Sequence, residues 1–382
     1  MPGIVFVSID DFSREGFTNG LFLQVRELLR HFSARGHATS LTCITPQEHP
    51  GSERRTRQIQ GCTVHETFVA PAEGTGAYRH ALGELLTELD PDVILLNSCA
   101  VRLTAAHHAV LDESLASGRH VDVLVTDQLY PTHQSHPADE IQRYYDLMHR
   151  ARVHTVSQTI ADDLYSQTGV PARVLPNLIP VRPVGPPTCQ EAERRYLTLI
   201  NHHPIKGRQV WDALIRYRPH DIYLTVQTWP DVPPYAPLSP NVRVAEFSLD
   251  PTTIYNQTRI LLIPSLGPEG VPRVALEAME LGVPVIAHRI GSLPELGNAV
   301  SYVSPPPITG YELDEDNILY PLTSPEEVTR AARAFDQAIE AIDHDATVRN
   351  QCAADGQAFM REYRERCEAA VDRLLDSWFS TV

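Results

Sequence analysis

Short apolar runs alternate with amphipathic stretches along the first half of the chain. The runs are rich in Val, Ile and Leu, which is typical of buried parallel strands; they cover residues 4–9, 39–45, 63–69, 93–97, 121–126 and 153–157. Apolar residues at helical spacing predict helices between them, at residues 21–32, 80–89, 141–149 and from the N-cap Ser157 to about Gly169. This alternation is typical of an open α/β sheet.

The pattern is interrupted once and then restarts. Residues 176–188 hold five prolines, too many for a helix or a central strand, and predict an interdomain linker. Further strands are predicted at residues 196–200, 222–227, 242–247, 259–264 and 284–287, with helices at 209–217 and 272–281. Two long helices, at 325–343 and 347–378, close the chain, and residues 305–316 are predicted to be a loop. Two successive α/β domains predict a ligand in the cleft between them, beyond the carboxyl ends of the strands.

Composition and charge narrow the class of protein. A length of 382 residues agrees with two domains, and the net charge of −16 disfavours nucleic acid or an anionic membrane as the main partner. The six Cys form no C-x-x-C pair, and the N-terminus lacks the basic and apolar regions of a signal peptide. No stretch approaches the ~18 apolar residues of a membrane span. We therefore expect a cytoplasmic protein with reduced thiols and no stable membrane insertion.

The densest candidate chemistry lies between residues 264 and 279, where the pattern runs from strand through loop into helix. Pro272 suits the first helical position, where its missing N–H leaves no donor unsatisfied. A helix N-terminus presents N–H groups and the positive dipole end to an anion. Glu269 precedes this helix and Glu277 lies inside it, and carboxylates accept hydrogen bonds from sugar hydroxyls. The combination predicts a sugar-nucleotide site; the alternative is that both carboxylates only favour the helix dipole.

The spacing from Glu269 to Glu277, followed by residues 282–287 and 291–295, resembles the E-x7-E region of family 4 glycosyltransferases, which are retaining enzymes of the GT-B fold. Weaker likenesses agree in order along nearly the whole chain, at residues 156–164, 169–171, 176–177 and 200–207. The resemblance implies two Rossmann-like α/β domains with a cleft between them. It places an acceptor-binding domain at residues 1–180, a nucleotide-sugar-binding domain at 181–362, and at 363–382 a helix that packs back on the first domain.

The resemblance also implies roles for residues of the E-x7-E region. Glu277 would hold the ribose hydroxyls of the donor, and Glu269 would hydrogen-bond the transferred sugar. The backbone at Gly270, Val271 and Pro272 would face the sugar and the diphosphate.

The cations for the diphosphate come from other positions. Lys206, the only Lys in the chain, would neutralise the leaving diphosphate, and the alternative is a solvated surface Lys. The family often has Arg five residues earlier, where this chain has Asn201, so one cation is missing unless Arg273 or Arg208 supplies it. Pro272 stands where Gly is usual, which removes one N–H donor.

In the first domain the resemblance is less complete. The family often has a His-Asp pair at the end of a strand; here Asp127 is present, and His133 or His136 would have to substitute for the His in contacting the acceptor. The loop at residues 10–20 includes Gly16 and Asn19, and is similar in placement to the donor-contacting G-G-M-N loop of mycothiol-pathway glycosyltransferases. A simple loop with Asn19 as N-cap of the next helix is the alternative.

The resemblance implies a retaining enzyme that moves a hexose-like sugar from a UDP or GDP donor by front-face transfer. We expect a small soluble acceptor, such as a natural-product or thiol metabolite, and a homodimer is compatible with this interpretation. We expect no metal, because protein cations would serve the diphosphate; the D-x-D-like Asp314-Glu315-Asp316 lies in an acidic loop outside the motif region. The alternatives are a nucleotide-sugar 2-epimerase, a phosphorylase or hydrolase of the same fold, and a non-catalytic sugar-nucleotide binder.

Overall fold

The chain folds into two compact units, Met1–Leu178 with Arg366–Val382, and Ile179–Glu365. The computed structural model describes residues 3–9, 20–46, 54–59, 62–69, 74–98, 105–128, 138–180, 194–228, 233–237, 239–248, 250–315 and 318–379. The first unit is called the N-terminal unit below, and the second the C-terminal unit.

The described strands of the N-terminal unit form one sheet in the order β3-β4-β2-β1-β5-β6-β7-β8. They are β1 (Gly3–Ser8), β2 (Ala38–Pro46), β3 (Arg54–Ile59), β4 (Cys62–Val69), β5 (Val93–Ser98), β6 (His120–Val125), β7 (Arg152–Thr155) and β8 (Ala172–Val174). The helices are α1 (Gly20–Ala34), α2 (Gly74–Leu89), α3 (Ala105–Ala116), α4 (Ala138–Met148) and α5 (Gln158–Thr168). Ser157 caps α5 as predicted, accepting a hydrogen bond from the Ile160 N–H.

Three of these elements were not predicted from the apolar pattern. Strand β3 has mostly polar and exposed residues, and it pairs antiparallel with β4 at the edge of the sheet. An edge strand needs no continuous apolar run, so apolar periodicity does not reveal it. Helix α3 and the short strand β8 were also missed.

The C-terminal unit contains a parallel sheet in the order β11-β10-β9-β12-β13-β14. Its strands are β9 (Tyr196–Ile200), β10 (Tyr223–Gln227), β11 (Val242–Glu246), β12 (Thr258–Ile263), β13 (Val285–His288) and β14 (Ser301–Val303). The helices are α6 (Arg208–Tyr217), α7 (Thr252–Tyr255), α8 (Arg273–Glu280) and α9 (Pro325–Asp343). Trp211, Tyr223 and Phe335 are buried in the core that joins α6 and α9 to the sheet.

The prediction of a loop at residues 305–316 is wrong in part. Gly310–Leu313 forms strand β15, which pairs antiparallel with β16 (Leu319–Leu322). This hairpin was missed because its strands are short and partly exposed, and its hydrogen bonds come from a partner strand rather than from a local periodic pattern.

Helix α10 (Ala346–Phe379) takes part in both units. In the C-terminal unit, Arg364 pairs with Glu280 of α8 at 2.8 Å. In the N-terminal unit, the Trp378 indole N–H donates to Asp122 at 2.9 Å, and the Trp378 ring meets Phe32 edge to face. The predicted pair of Rossmann-like α/β domains, with a C-terminal helix packed on the first, is therefore confirmed. No helix within the described ranges is both long and apolar enough to span a bilayer.

Candidate active site

The order of strands in the C-terminal unit reverses between β9 and β12. Strand β10 lies on one side of β9 and β12 on the other, so the connections after β9 and after β12 run to opposite sides of the sheet. Such a switch point opens a crevice at the carboxyl ends of the strands, where open α/β sheets bind ligands. The turn with Lys206 follows β9, and the loop with Glu269 follows β12, so the fold brings the two predicted motifs together.

The turn after β9 has a backbone that only certain residues can adopt. Asn201 has a φ of +70°, and its side-chain oxygen accepts a hydrogen bond from the His203 N–H at 3.0 Å. His203 in turn caps the 3-10 turn Pro204–Lys206. Gly207 has a φ of +89°, and a Cβ there would lie 1.9 Å from the Pro264 carbonyl oxygen. The turn therefore lies directly against the end of β12, and Gly207 makes that approach possible.

Backbone hydrogen bonds join this turn to the loop after β12. The N–H groups of Leu266 and Gly267 both donate to the Ile205 carbonyl oxygen, at 2.8 and 3.0 Å. The Tyr311 hydroxyl of strand β15 donates to the Leu266 carbonyl oxygen at 3.2 Å. The contact between this turn and this loop is called the junction below. Its hydrogen bonds hold the turn that carries Lys206 close to the loop that carries Glu269.

Lys206 and Glu269 form an ion pair at this junction. The Lys206 Nζ lies 2.8 Å from both carboxylate oxygens of Glu269. The Ser265 hydroxyl donates to Glu269 Oε1 at 2.5 Å. Glu269 is buried, with 6% of its surface exposed, whereas the Lys206 side chain keeps 24% exposed. Lys206, the predicted cation for the diphosphate, and Glu269, the residue predicted to bind the sugar, are thus in direct contact.

The backbone of Glu269 is also fixed from the side of β13. Its carbonyl oxygen accepts a hydrogen bond from the Ser292 N–H at 2.7 Å. Gly291 has a φ of +56°, and a Cβ there would lie 2.3 Å from the same carbonyl oxygen. A side chain at position 291 would therefore displace Glu269.

A neutral histidine supports the Ser265 backbone. His288 Nδ1 lies 2.9 Å from the Ser265 carbonyl oxygen, and the ring is fully buried against Phe335. Burial lowers the pKa of His288 to about 4, so the ring is neutral near pH 7 and Nδ1 donates its proton to the carbonyl.

Helix α8 begins one residue later than predicted. Pro272 precedes the helix as its N-cap, with a φ of −72° and an extended ψ of 126°, so it is not the first helical residue. Glu277 lies within the helix, and its Oε2, at 3.3 Å, shares the proton of the Tyr255 hydroxyl with the Val274 carbonyl oxygen, at 3.1 Å. The Arg273 guanidinium lies 3.9 Å from Glu277 Oε1, and both side chains are mostly buried. Tyr255 and Arg273 therefore orient the Glu277 carboxylate.

The two Arg residues considered for the missing phosphate cation differ in their surroundings. Arg208 lies over the Tyr235 ring, with its carbon 5.4 Å from the ring centroid, and its Nε lies 3.7 Å from Asp212. Arg273 starts α8, three residues after Gly270 of the Glu269 loop.

Of the other predicted site residues, one belongs to the N-terminal unit and the rest lie outside the described residues. Asp127 is exposed at the end of β6 in the N-terminal unit, where its carboxylate accepts a hydrogen bond from the Thr126 hydroxyl at 3.1 Å. Gly16, Asn19 and His133 lie outside the described residues, as do His136 and Asp316.

Residues that support the site were missed in the sequence. Ser265 lies two positions after the last residue of β12 and four residues before Glu269. This position in the sequence is a signal that could have identified it. Gly291 begins one of the segments that carried the resemblance and His288 lies just after another, but their contacts with the Glu269 loop depend on the pairing of β12 with β13.

Two family models match this chain. A glycosyl transferase 4-like domain matches residues 19–177, and a glycosyl transferases group 1 domain matches residues 218–335. The fold and these two domains define a glycosyltransferase of the GT-B type. The chain belongs to the group 1, family-4-like glycosyltransferases, which confirms the resemblance seen in the E-x7-E region.

Solved structures share this fold. Sucrose-phosphate synthase from Thermosynechococcus elongatus is 16% identical and aligns over 100% of both chains with a TM-score of 0.72. HepE from Anabaena, in complex with UDP-glucose, is 15% identical over 98% of this chain and 99% of its own, with a TM-score of 0.67. The α,α-trehalose 6-phosphate synthase from Burkholderia multivorans is 10% identical over 99% of this chain and 100% of its own, with a TM-score of 0.60. At these identities the likeness shows the GT-B fold. A search of curated protein sequences gave no match.

Proposed function

We propose that this glycosyltransferase moves a hexose-like sugar from a UDP or GDP donor to a small soluble acceptor, with retention at the anomeric carbon. The observation that carries the proposal is the Lys206–Glu269 ion pair at the switch point. A cation for a diphosphate and a carboxylate for sugar hydroxyls are adjacent there, where α/β sheets bind nucleotides. The UDP-glucose complex of HepE, which has the same fold, supports a nucleotide sugar as the donor class.

Separate groups of residues would hold the diphosphate, the sugar and the ribose of the donor. Lys206 and the N-terminus of α8 would bind the diphosphate, because both carry positive charge. Arg273 is our choice for the additional cation, since it begins that helix. Asn201 shapes the turn that presents Lys206, and the backbone of Gly270, Val271 and Pro272 would line the sugar and diphosphate. Glu277 would accept hydrogen bonds from the ribose hydroxyls.

The chemistry we propose is front-face transfer. The bond between the anomeric carbon and the diphosphate oxygen breaks, and the acceptor oxygen forms its bond on the same face. The departing diphosphate oxygen takes the acceptor proton, so no side chain need act as nucleophile. Lys206 and the helix N-terminus stabilise the charge that develops on the leaving group, which is often the largest catalytic contribution.

We further propose that the acceptor contacts Asp127 and His133, and that transfer needs no metal. Protein cations would neutralise the diphosphate.

The direct test is an assay of the purified chain with UDP- and GDP-linked hexoses, first alone and then with a panel of small acceptors, each with and without EDTA. We expect an acceptor-dependent product whose anomeric configuration, read by NMR coupling constants, matches the donor, and turnover that is insensitive to EDTA. Conversion of the donor to its 2-epimer without an acceptor would indicate the epimerase alternative. Binding without any turnover would indicate a non-catalytic binder.

A further inference from the structure

In the proposed function, Lys206 has two competing partners, the Glu269 carboxylate and the diphosphate. Lys206 Nζ lies within 2.8 Å of both Glu269 oxygens, so it already neutralises this carboxylate. An incoming diphosphate would compete with Glu269 for the same amine. Binding of the phosphates therefore has a cost that depends on what else contacts Glu269.

Glu269 cannot easily be solvated if Lys206 moves away. The residue is 6% exposed, and its carbonyl oxygen is tied to the Ser292 N–H. The Ser265 hydroxyl, itself 1% exposed, would still donate to Oε1. A buried carboxylate that loses its cation is strongly destabilised unless other donors replace it.

We propose that this ion pair makes the donor site select the intact nucleotide sugar over the free nucleoside diphosphate, with Ser265 as the positioning residue that keeps Glu269 directed at the sugar during the exchange. The inference rests on the proposed function. The hydroxyl groups of a nucleotide sugar donate hydrogen bonds to Glu269 and so replace Lys206 there. A free nucleoside diphosphate draws Lys206 away and brings no such donor. The product nucleotide is therefore bound less tightly than the donor, which favours its release.

The principal test measures binding with Glu269→Gln. Glutamine keeps the shape of the side chain but has no charge to hold Lys206. UDP, GDP, UDP-glucose and GDP-mannose are titrated by calorimetry against both proteins at one pH and ionic strength. We expect the Kd of the free diphosphate to fall about tenfold, because the cost of breaking the ion pair is removed. The Kd of the nucleotide sugar should change less than about threefold, because that gain is offset by weaker hydrogen bonds to the sugar.

The chain offers a matched control for this substitution. Glu280 and Arg364 form an ion pair of the same length, 2.8 Å, with side-chain exposures of 12% and 23%. Glu269 and Lys206 have 8% and 24%. Glu280→Gln should leave both affinities unchanged. An equal tightening of diphosphate binding in Glu280→Gln would overturn the inference, as would an unchanged or weaker diphosphate affinity in Glu269→Gln.

Ser265→Ala gives an independent test with the opposite sign. In the diphosphate complex, Lys206 has left Glu269, and Ser265→Ala also removes the hydroxyl that donates a hydrogen bond to this carboxylate. In the nucleotide-sugar complex, the sugar hydroxyls still donate hydrogen bonds to Glu269. We expect the free diphosphate to lose about fivefold in affinity and the nucleotide sugar to lose less. An equal loss for both ligands would contradict the inference, even if Glu269→Gln fails to fold.

Failure of the inference and failure of the proposed function give different results. If the wild-type chain binds neither the diphosphates nor the nucleotide sugars, both fail. If it binds both classes and the ratio of their Kd values is the same in Glu269→Gln, the inference fails and the proposed function stands.

Discussion

Lys206 is the only amine side chain in a protein whose other basic residues are Arg and His. An ammonium group is a compact charge with three donors on a flexible stem, so it can pass between a carboxylate and a phosphate. Its backbone is fixed by the 3-10 turn Pro204–Lys206, while the side chain keeps 24% of its surface exposed.

Replacement of Lys206 by Ala should lower turnover at least about 30-fold, equivalent to about 2 kcal/mol of lost leaving-group stabilisation. The measurement is kcat with a saturating nucleotide sugar, and Lys206→Arg is the control that keeps the charge. Turnover within about threefold of wild type in the Ala variant would remove Lys206 from the diphosphate site.

A single Lys also permits a direct chemical probe. An amine-selective acetylating reagent can modify only Lys206 and the N-terminal amine, and mass spectrometry distinguishes the two. We expect a nucleotide sugar to slow modification of Lys206 and to leave the N-terminal amine unaffected, because the diphosphate covers only one of them. Equal rates at Lys206 with and without the nucleotide sugar would contradict the assignment.

Glu277→Ala should weaken nucleotide-sugar binding about tenfold, because a charged acceptor for the ribose hydroxyls is lost. Calorimetry measures the affinity. Tyr255→Phe is the companion variant: it removes one hydrogen bond to Glu277 but keeps the carboxylate, so its effect should be smaller. Unchanged affinity in Glu277→Ala would rule out the ribose role.

At the scale of elements, the site depends on where two strands end. Helix α9 was predicted at its observed bounds; in the structure its buried residues follow a helical period and the Ser324 side chain caps its start. Strand β9 was likewise predicted at its observed bounds. The hairpin β15–β16, which braces the Glu269 loop through Tyr311, was not predicted, since its pairing joins residues that no local period connects.

Gly207→Ala should destabilise the C-terminal unit by at least about 3 kcal/mol, because a strained backbone is combined with overlap against the Pro264 carbonyl. Gly36→Ala, in the N-terminal unit, is the matched control: its φ is +87° and a Cβ there meets nothing within 4 Å, so only backbone strain of about 1 kcal/mol is expected. Urea unfolding followed by circular dichroism compares the two. Equal losses would show that contact with Pro264 is unimportant.

At the scale of the whole chain, the last helix stabilises the N-terminal unit through contacts between side chains that lie 333 and 337 positions apart in sequence. Arg35 of α1 pairs with Glu368 and Asp372 of α10. Asp122 is fully buried in β6 and accepts from Arg152, from His154 and from the indole of Trp378. A buried carboxylate thus takes one of its donors from the far end of the chain.

Trp378→Phe keeps an aromatic ring against Phe32 and removes that N–H donor. We expect a loss of about 2 kcal/mol in the stability of the N-terminal unit, because a hydrogen bond to a buried charge is broken. Trp211→Phe serves as comparison in the C-terminal unit: it removes the same ring volume from a buried site, but the Trp211 indole donates to a neutral hydroxyl of Thr225 at 3.1 Å, so its loss should be about 1 kcal/mol smaller than that of Trp378→Phe. Thermal unfolding measures both; a smaller loss for Trp378 than for Trp211 would contradict the role assigned to Asp122.

The sequence by itself determined two α/β halves, most strands and helices, and the two motifs with Lys206 and Glu269, because apolar period, caps and motif spacing are local properties. Only the tertiary structure decided that these motifs meet as an ion pair, since the contact requires β9 and β12 to be neighbours at the point where the strand order reverses. The same holds for His288 and Gly291, which reach the Glu269 loop from the end of the neighbouring strand β13, whereas the contact of Ser265 with Glu269 spans only four residues. The local pattern fixes which face of an element is buried, but sheet pairing fixes which side chains converge.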